Sequence, residues 1–103
     1  MAKTHERQHH LWAQWESVVK TGDAQITTVP TRVGGVIASP DGTNKLTVEL
    51  KDGTSSGTTK VKFITSTNQP LAIMFPPPGV RFETKLYLDI TTSGTGTVTI
   101  LYR

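Results

Sequence analysis

The stretch KLTVELKDGTSSGTTKVKFI, residues 45–64, decides the fold class of this chain. On both sides of a turn, apolar residues alternate with polar ones, which is the pattern of a strand with one buried face and one wet face. The apolar positions are Leu46, Val48, Leu50, Val61 and Phe63. The connection at 51–58 is rich in Gly, Ser, Asp and Thr, which favour turns. The stretch therefore predicts an antiparallel hairpin, in which Glu49 would lie across from Lys60.

Similar short apolar segments follow and precede this hairpin. We predict further strands at residues 25–29, 31–39, 71–75, 86–91 and 98–103. Segments rich in Gly, Pro, Asn and Ser separate them, as in SPDGTN (39–44), PPPG (76–79) and TSGTG (92–96). About seven short strands with turns between them predict an all-β fold. It is an antiparallel sandwich of jelly-roll or Ig-like type or a small barrel, and not a parallel sheet with crossover helices.

In the first part of the chain the apolar residues do not alternate with polar ones as they do in the strands. Its apolar residues recur at the spacing of an amphipathic helix, which we predict over residues 5–20, with Thr4 able to cap its start and Gly22 its end. The apolar residues are Leu11, Trp12, Trp15, Val18 and Val19. The chain thus divides into a helical anchoring arm at 1–24 and a sandwich domain at 25–103.

The arm begins with a short match to a zinc-protease motif. His5-Glu6-Arg7-Gln8-His9 fits H-E-x-x-H, in which two histidines on one helical face hold zinc and the Glu acts as general base. No histidine follows His10 to supply a third ligand, and nothing precedes the motif to hold it. We expect no catalytic residues, no metal centre and no cofactor, although a loose surface metal site on His5 and His9 stays open. Residues 41–44 could suggest calcium, but a turn made by the Asp41 side chain explains them.

Composition narrows the classes of function. The 11 Lys and Arg residues exceed the 8 Asp and Glu residues without forming a basic run, which argues against nucleic-acid binding. There is no cysteine, and therefore no disulfide or thiolate metal site. Neither a secretory signal nor an apolar run of about 20 residues is present, so we expect a protein used or assembled where it is made, without a membrane span.

The two tryptophans of the arm are its most informative residues. Trp12 and Trp15 are three positions apart and share one face of the predicted helix with Leu11. Three environments could cover this face: the chain's own sandwich, a groove on another polypeptide, or a membrane surface. The membrane alternative lacks the Lys- and Arg-rich polar face it needs. We favour a partner protein, because the strands form a sandwich that can bury its own apolar faces without the arm.

The segment PLAIMFPPPGVRFETKLYLDITTSGTGTVTILYR, residues 70–103, resembles the ending of small β-rich virion structural proteins of tailed bacteriophages. The matching steps are Gly79-Val80-Arg81-Phe82, Leu86-Tyr87-Leu88-Asp89, the turn at 93–96 and the terminal strand at 98–103. The resemblance covers about a third of the chain. It implies a non-enzymatic particle component such as a head decoration protein, or a tail or neck protein.

Together these observations predict a capsid decoration or cement protein, made in the host cytoplasm and located in the virion. Its partner would be the major capsid protein or another virion protein, anchored by Leu11, Trp12, Trp15, Val18 and Val19. Copies would form a homo-oligomer, with a trimer possible, because repetition on a lattice strengthens modest contacts. The alternative is a tail- or neck-associated module that binds host glycans through Tyr87 and the loops at 51–58 or 92–96.

Overall fold

The computed structural model describes residues 15–103. This part of the chain contains nine β-strands and no helix, so it offers no helix that could cross a membrane. The strands are β1 (Glu16–Lys20), β2 (Ala24–Gln25), β3 (Thr31–Ser39), β4 (Thr47–Asp52), β5 (Thr58–Ile64), β6 (Leu71–Met74), β7 (Val80–Phe82), β8 (Leu86–Thr91) and β9 (Thr97–Tyr102).

The strands form two antiparallel sheets. Sheet A has the order β1-β9-β3-β6, with β7 also paired to β3, and sheet B has the order β2-β8-β4-β5. Alternate residues of both sheets enter one fully buried cluster, which is the arrangement of a sandwich. From sheet A come Val33, Val36, Ala38, Phe82, Val98 and Ile100, and from sheet B and its entry come Leu46, Val48, Leu50, Leu86 and Leu88. The predicted all-β antiparallel fold is confirmed.

The hairpin that decided the fold class is present, with a different register. Glu49 pairs with Lys62, not with Lys60. The ladder between β4 and β5 shifts by one residue between Leu50 and Lys51, which accounts for one of the two residues of difference. Such a bulge adds a residue to one strand and changes every pairing beyond it. The Thr59 hydroxyl donates a hydrogen bond of 2.8 Å to the Glu49 carboxylate.

The helix predicted over 5–20 is wrong for residues 16–20, and its other positions except residue 15 lie outside the described residues. Residues 16–20 form β1, which pairs with β9 so that Val18 lies opposite Ile100. Val18 packs against the buried cluster, and β1 satisfies one side of the β9 backbone. This tertiary pairing outweighs the helical spacing, since Val18 and Val19 are β-branched and fit a strand well. The sequence predicted that residues 16–24 belong to the arm. In the structure, residues 16–25 instead contribute β1 and β2 to the two sheets.

Two other elements differ from expectation. The strand predicted at 25–29 is reduced to β2, and the regular ladder ends where the N–H groups of Ile26 and Thr27 both donate to the carbonyl of Leu86. The Gln25 side-chain amide donates hydrogen bonds of 2.9–3.0 Å to the carbonyls of Thr27, Gly53 and Leu86. The short strand β7 was not predicted, and it brings Phe82 into the core opposite Thr31.

The turn before β4 is organised by Asp41, as predicted. Its carboxylate accepts hydrogen bonds from the backbone N–H groups of Thr43 and Asn44, each at 2.8 Å, and from that of Thr95 at 3.0 Å. Led by the Thr43 bond, these hydrogen bonds to the ionised form hold the pKa of Asp41 far below its ordinary value of 3.8. One carboxylate therefore joins the turn at 41–44 to the turn at 92–96 and needs no metal ion to do so.

This carboxylate predicts a specific acid sensitivity. Because the folded-state pKa of Asp41 is lower than the unfolded value, its stabilisation is complete above pH 3.8 and is lost progressively as the pH falls below it. We expect Asp41→Asn to lower stability at neutral pH and to flatten the loss between about pH 4 and pH 2. Urea midpoints measured against pH test this. Glu83→Gln, which changes an exposed carboxylate paired only with Arg81, is the control. An equal flattening in both variants would contradict the assignment.

Candidate functional site

The middle of the outer face of sheet A is apolar across four strands, whereas the row at one end, beside Trp15, carries Arg103, Arg32 and Arg81. Cross-strand partners share a face, so the pairings give two rows of side chains directed away from the core. One row is Val19, Thr99, Ile37 and Ala72, and the next is Ser17, Leu101, Gly35 and Met74. Neither row contains a charged residue. Val19 is 59%, Ile37 36% and Met74 62% exposed. We call this surface, completed by Trp15, the apolar face.

Two adjacent glycines of β3 make room for the large side chains of the apolar face. The ladder between β3 and β9 shifts between Val33 and Gly35, which marks a bulge at Gly34. A Cβ on Gly34 would lie 2.7 Å from the ring of Trp15, and one on Gly35 would lie 2.6 Å from the sulfur of Met74. The indole and the thioether therefore rest directly on the backbone of β3. A side chain at Gly34 would displace the rigid indole ring, and one at Gly35 would push the end of the flexible Met74 side chain aside.

A groove of about 390 Å³ opens beside the indole of Trp15. It is lined by Trp15, Glu16, Ser17, Gly34, Met74, Phe75, Pro77, Gly79 and Leu101. The guanidinium of Arg103 lies 4.7 Å from the centroid of the Trp15 ring, a cation–π distance that holds the indole in place. The groove therefore joins the apolar face to the turn between β6 and β7.

The predicted anchoring residues do not form one stripe. Leu11 and Trp12 lie outside the described residues. Trp15 is half-buried on the outside of its own sheet, and Val18 points into the core. Val19, the next residue along β1, points outward and is mostly exposed. Adjacent residues of a strand face opposite sides, which separates Val18 from Val19.

The outer face of sheet B is polar instead. Tyr87, the predicted glycan contact, is half-buried between Gln25 and Lys51. The ammonium of Lys51 lies 3.1 Å from the carboxylate of Asp89, and this hydrogen bond raises the pKa of Lys51. The next row across the sheet is Asp89, Glu49 and Lys62. Tyr87 is therefore one aromatic ring among paired charges.

A second groove, of about 540 Å³, lies at the end of sheet B beside the 92–96 turn. Most of its lining residues carry hydroxyl groups: they are Thr43, Asn44, Lys45, Thr47, Thr67, Thr91, Thr92 and Ser93. The Thr92 hydroxyl accepts a hydrogen bond of 3.1 Å from the N–H of Gly94. The groove offers hydroxyl donors and acceptors and a single cation.

Within residues 15–103, no three His, Cys, Asp or Glu side chains lie close enough to share a metal ion. The residues of the zinc-like motif, His5, Glu6 and His9, are outside that range. Comparison of the chain with protein-family models, with curated proteins and with solved structures finds no match in any of the three.

Sequence reasoning missed the central members of the apolar face. Ile37 and Met74 were assigned to strands, but not to an exposed surface. A signal was present in Gly34-Gly35, because glycines inside a strand indicate a bulge or a close approach of another group. What approaches these glycines depends on which strands flank β3, and residue order alone does not specify that.

Proposed function

We propose that this protein is a non-enzymatic structural component of a tailed-bacteriophage virion, most simply a capsid decoration protein, and that it attaches through the apolar face. The partner is the major capsid protein or another virion protein with a complementary apolar surface. The observation that carries the proposal is the pair of uncharged, partly exposed rows that crosses four strands of a sandwich whose core is already complete.

The physical case begins with the cost of leaving this surface in water. Contiguous exposed apolar patches on small proteins mark interaction sites. Complete burial of a fully exposed Val, Ile or Met side chain contributes about 1.5–3 kcal/mol. Val19, Ile37 and Met74 are partly exposed, so each has roughly a third to two thirds of that contribution left to give at an interface. One such site would bind modestly, and many copies on a symmetric shell would bind firmly.

The two sheets differ in a way that favours sheet A. Four charged residues, Glu49, Lys51, Lys62 and Asp89, occupy the middle of the outer face of sheet B. The outer face of sheet A carries Arg32, Arg81 and Arg103 at one end, in the row of Trp15, and the two rows of the apolar face carry no charge. Burying charges in an interface costs free energy unless each is paired. Sheet B is therefore suited to remain in solvent, and sheet A to lie against the particle.

The decisive experiment compares the same substitution on the two sheets. Ile37→Lys places a charge at the centre of the apolar face, and Ile64→Lys places one on the strand β5 of sheet B, where Ile64 is 52% exposed. We expect Ile37→Lys to weaken binding to purified virions at least about 30-fold, the equivalent of a 2 kcal/mol interface hot spot, and Ile64→Lys to bind normally.

Circular dichroism and thermal unfolding of both variants control for loss of folding, and mass spectrometry of purified virions gives the copy number. Hundreds of copies would place the protein on the shell. Absence from virions, or binding that Ile37→Lys leaves unchanged, would contradict the proposal. Deletion of residues 1–14 is the appropriate arm deletion, because a longer one removes Trp15 and then enters β1.

A second candidate function, binding of host glycans, is supported by the hydroxyl-lined groove beside the 92–96 turn. Hydroxyl groups of Thr47, Thr91 and Ser93 could exchange hydrogen bonds with a sugar, and these side chains bond to no other group within residues 15–103. Glycan binding that is retained in Ile37→Lys and lost in Thr91→Val would favour this function over attachment by the apolar face.

A further inference from the structure

Strand β1 leaves one of its edges unpaired among the described strands. It pairs with β9 on one side, and no other strand of residues 15–103 adjoins it. The backbone groups on the open side follow from the ladder. Arg32 and Arg103 exchange both backbone hydrogen bonds, at 2.8 and 2.9 Å, so Arg103 points its N–H and C=O toward β3. The backbone groups of adjacent residues point to opposite sides of a strand. Ile100, three residues before Arg103, therefore directs its N–H and C=O toward β1.

The same alternation orients the residues of β1. Val18 lies opposite Ile100 and forms the hydrogen-bonded pair with it. The N–H and C=O groups of Ser17 and Val19 consequently point to the open edge. No backbone or side-chain group of residues 15–103 bonds to them. Two donors and two acceptors are thus aligned along a straight strand with no proline and no bulge.

The other sheet edges are protected. β2 has two residues, which is too short to pair stably. β5 carries Lys60 and Lys62, and the Lys60 ammonium donates a hydrogen bond to the carbonyl of Arg81 on β7 and lies 5.5 Å from the ring centroid of Phe82. β6 has four residues and runs into Pro76–Pro78. Short strands, lysines and prolines are the means by which proteins block edge pairing, and β1 lacks them in its interior.

The sequence of β1 is complementary to itself. In an antiparallel pair of two β1 strands centred on Val18, Glu16 lies across from Lys20 of the second copy, and Lys20 across from its Glu16. Ser17 lies across from Val19, and their outward N–H and C=O groups match in four hydrogen bonds. Glu16 and Lys20 then occupy non-hydrogen-bonded positions, where facing side chains are closest. Every other antiparallel register of this five-residue strand loses both ion pairs.

We infer that the protein forms a two-fold symmetric homodimer by antiparallel pairing of β1 with β1 of a second copy. The axis passes between the two Val18 residues, perpendicular to the sheet, so both copies keep the same face of sheet A on the same side. The dimer follows from the edge geometry alone. Its consequence, one continuous apolar face of doubled extent for attachment to the virion, rests on the proposed function.

Charge exchange tests the register with purified full-length protein. Sedimentation equilibrium should show a mass that rises from 11.2 kDa toward twice that value as the concentration increases. Lys20→Glu alone and Glu16→Lys alone set like charges across both ends of the pair, and we expect each to weaken the dimer about tenfold. The double variant Glu16→Lys with Lys20→Glu restores both ion pairs and should return the dissociation constant to within about threefold of the original.

Val19→Pro tests the backbone hydrogen bonds. It removes the N–H that faces the open edge and leaves the ladder between β1 and β9 intact, a position at which edge strands tolerate proline. We expect dimerisation to weaken about tenfold or more, since two of the four edge hydrogen bonds are lost. The monomer should unfold at nearly the original temperature.

A constant mass of 11.2 kDa at all concentrations would overturn the inference. So would a trimer, or a dimer that responds to neither the charge variants nor Val19→Pro. These measurements use no virion. If the protein is a dimer and its Ile37→Lys variant still binds virions, the proposed function is refuted and the dimer is retained. If the protein is a monomer whose virion binding depends on Ile37, the dimer is refuted and the proposed function is retained.

Discussion

Replacing Phe82 by alanine is expected to lower the free energy of unfolding by about 3–5 kcal/mol, the usual cost of removing a buried aromatic ring. Phe82 is the largest completely buried side chain of the described residues. It lies on the three-residue strand β7, which pairs only with β3, so its ring holds both the strand and the core together. Small domains have about 5–15 kcal/mol of stability in total, and the variant should be close to unfolding.

Phe75→Ala is the matched control, because the same ring is removed at a half-buried position on the rim of the groove. The ring of Phe75 buries less apolar surface on folding than the ring of Phe82. Its removal should therefore lower the free energy of unfolding by less than half as much. Chemical denaturation of both variants, with the midpoint and slope compared, measures the difference. Equal costs at the two positions would show that the ring of Phe82 is not the main support of β7.

The second large effect concerns the turn that closes the groove. Gly79→Ala should cost about 2–5 kcal/mol, the sum of backbone strain and a steric clash. Gly79 has a φ of +92°, in the left-handed region that side chains disfavour. A Cβ there would lie 2.5 Å from the carbonyl oxygen of Val33, a backbone atom of β3 that cannot move aside without disturbing the bulge.

Substitutions at two other glycines distinguish the cost of backbone strain from the cost of the steric clash. Gly42 has a φ of +96° and no atom within 4 Å of its hypothetical Cβ, so Gly42→Ala introduces strain alone and should cost about 1–2 kcal/mol. Gly22 has neither a positive φ nor a neighbour within 4 Å, and Gly22→Ala should change stability by about 0.5 kcal/mol at most. Thermal unfolding ranks the three. A cost at Gly79 no larger than at Gly42 would exclude the clash with Val33.

The interaction surfaces of this protein connect through β1. One side of the strand joins the core through Val18, its outer side carries Val19 into the apolar face, and its edge offers the backbone of Ser17 and Val19 to a second copy. A five-residue strand thus contributes to folding, to the apolar face proposed for attachment and to the inferred dimer. The helical interpretation of the same residues concealed all three, because it placed Val18 and Val19 on one side.

Most of the β body could be predicted from residue order because its strands alternate and its turns carry strong local signals. Leu46, Val48 and Leu50 face one way in any strand, and all three are completely buried. Asp41 was correctly assigned to a turn because its carboxylate bonds to backbone groups two and three residues later. Its third bond, to Thr95, spans 54 residues and could not be foreseen from local spacing.

The strand β1 was missed for a comparable reason. Five apolar residues at helical spacing are a local pattern, and pairing with β9 at the far end of the chain is not. The proposed attachment surface depends on the same long-range pairing, since the row of Val19, Thr99, Ile37 and Ala72 draws one residue from each of four strands. None of these residues is distinctive in sequence.

The sequence by itself determined the antiparallel β class, most of the strands and the turns between them, because alternation and turn chemistry act over a few residues. Only the tertiary structure decided which sheet turns two uncharged rows of side chains to solvent, where Trp15 rests, and which edge remains open. Those properties arise when strands distant in the chain become neighbours, and the free energy that selects the neighbours comes from burying their inner faces together.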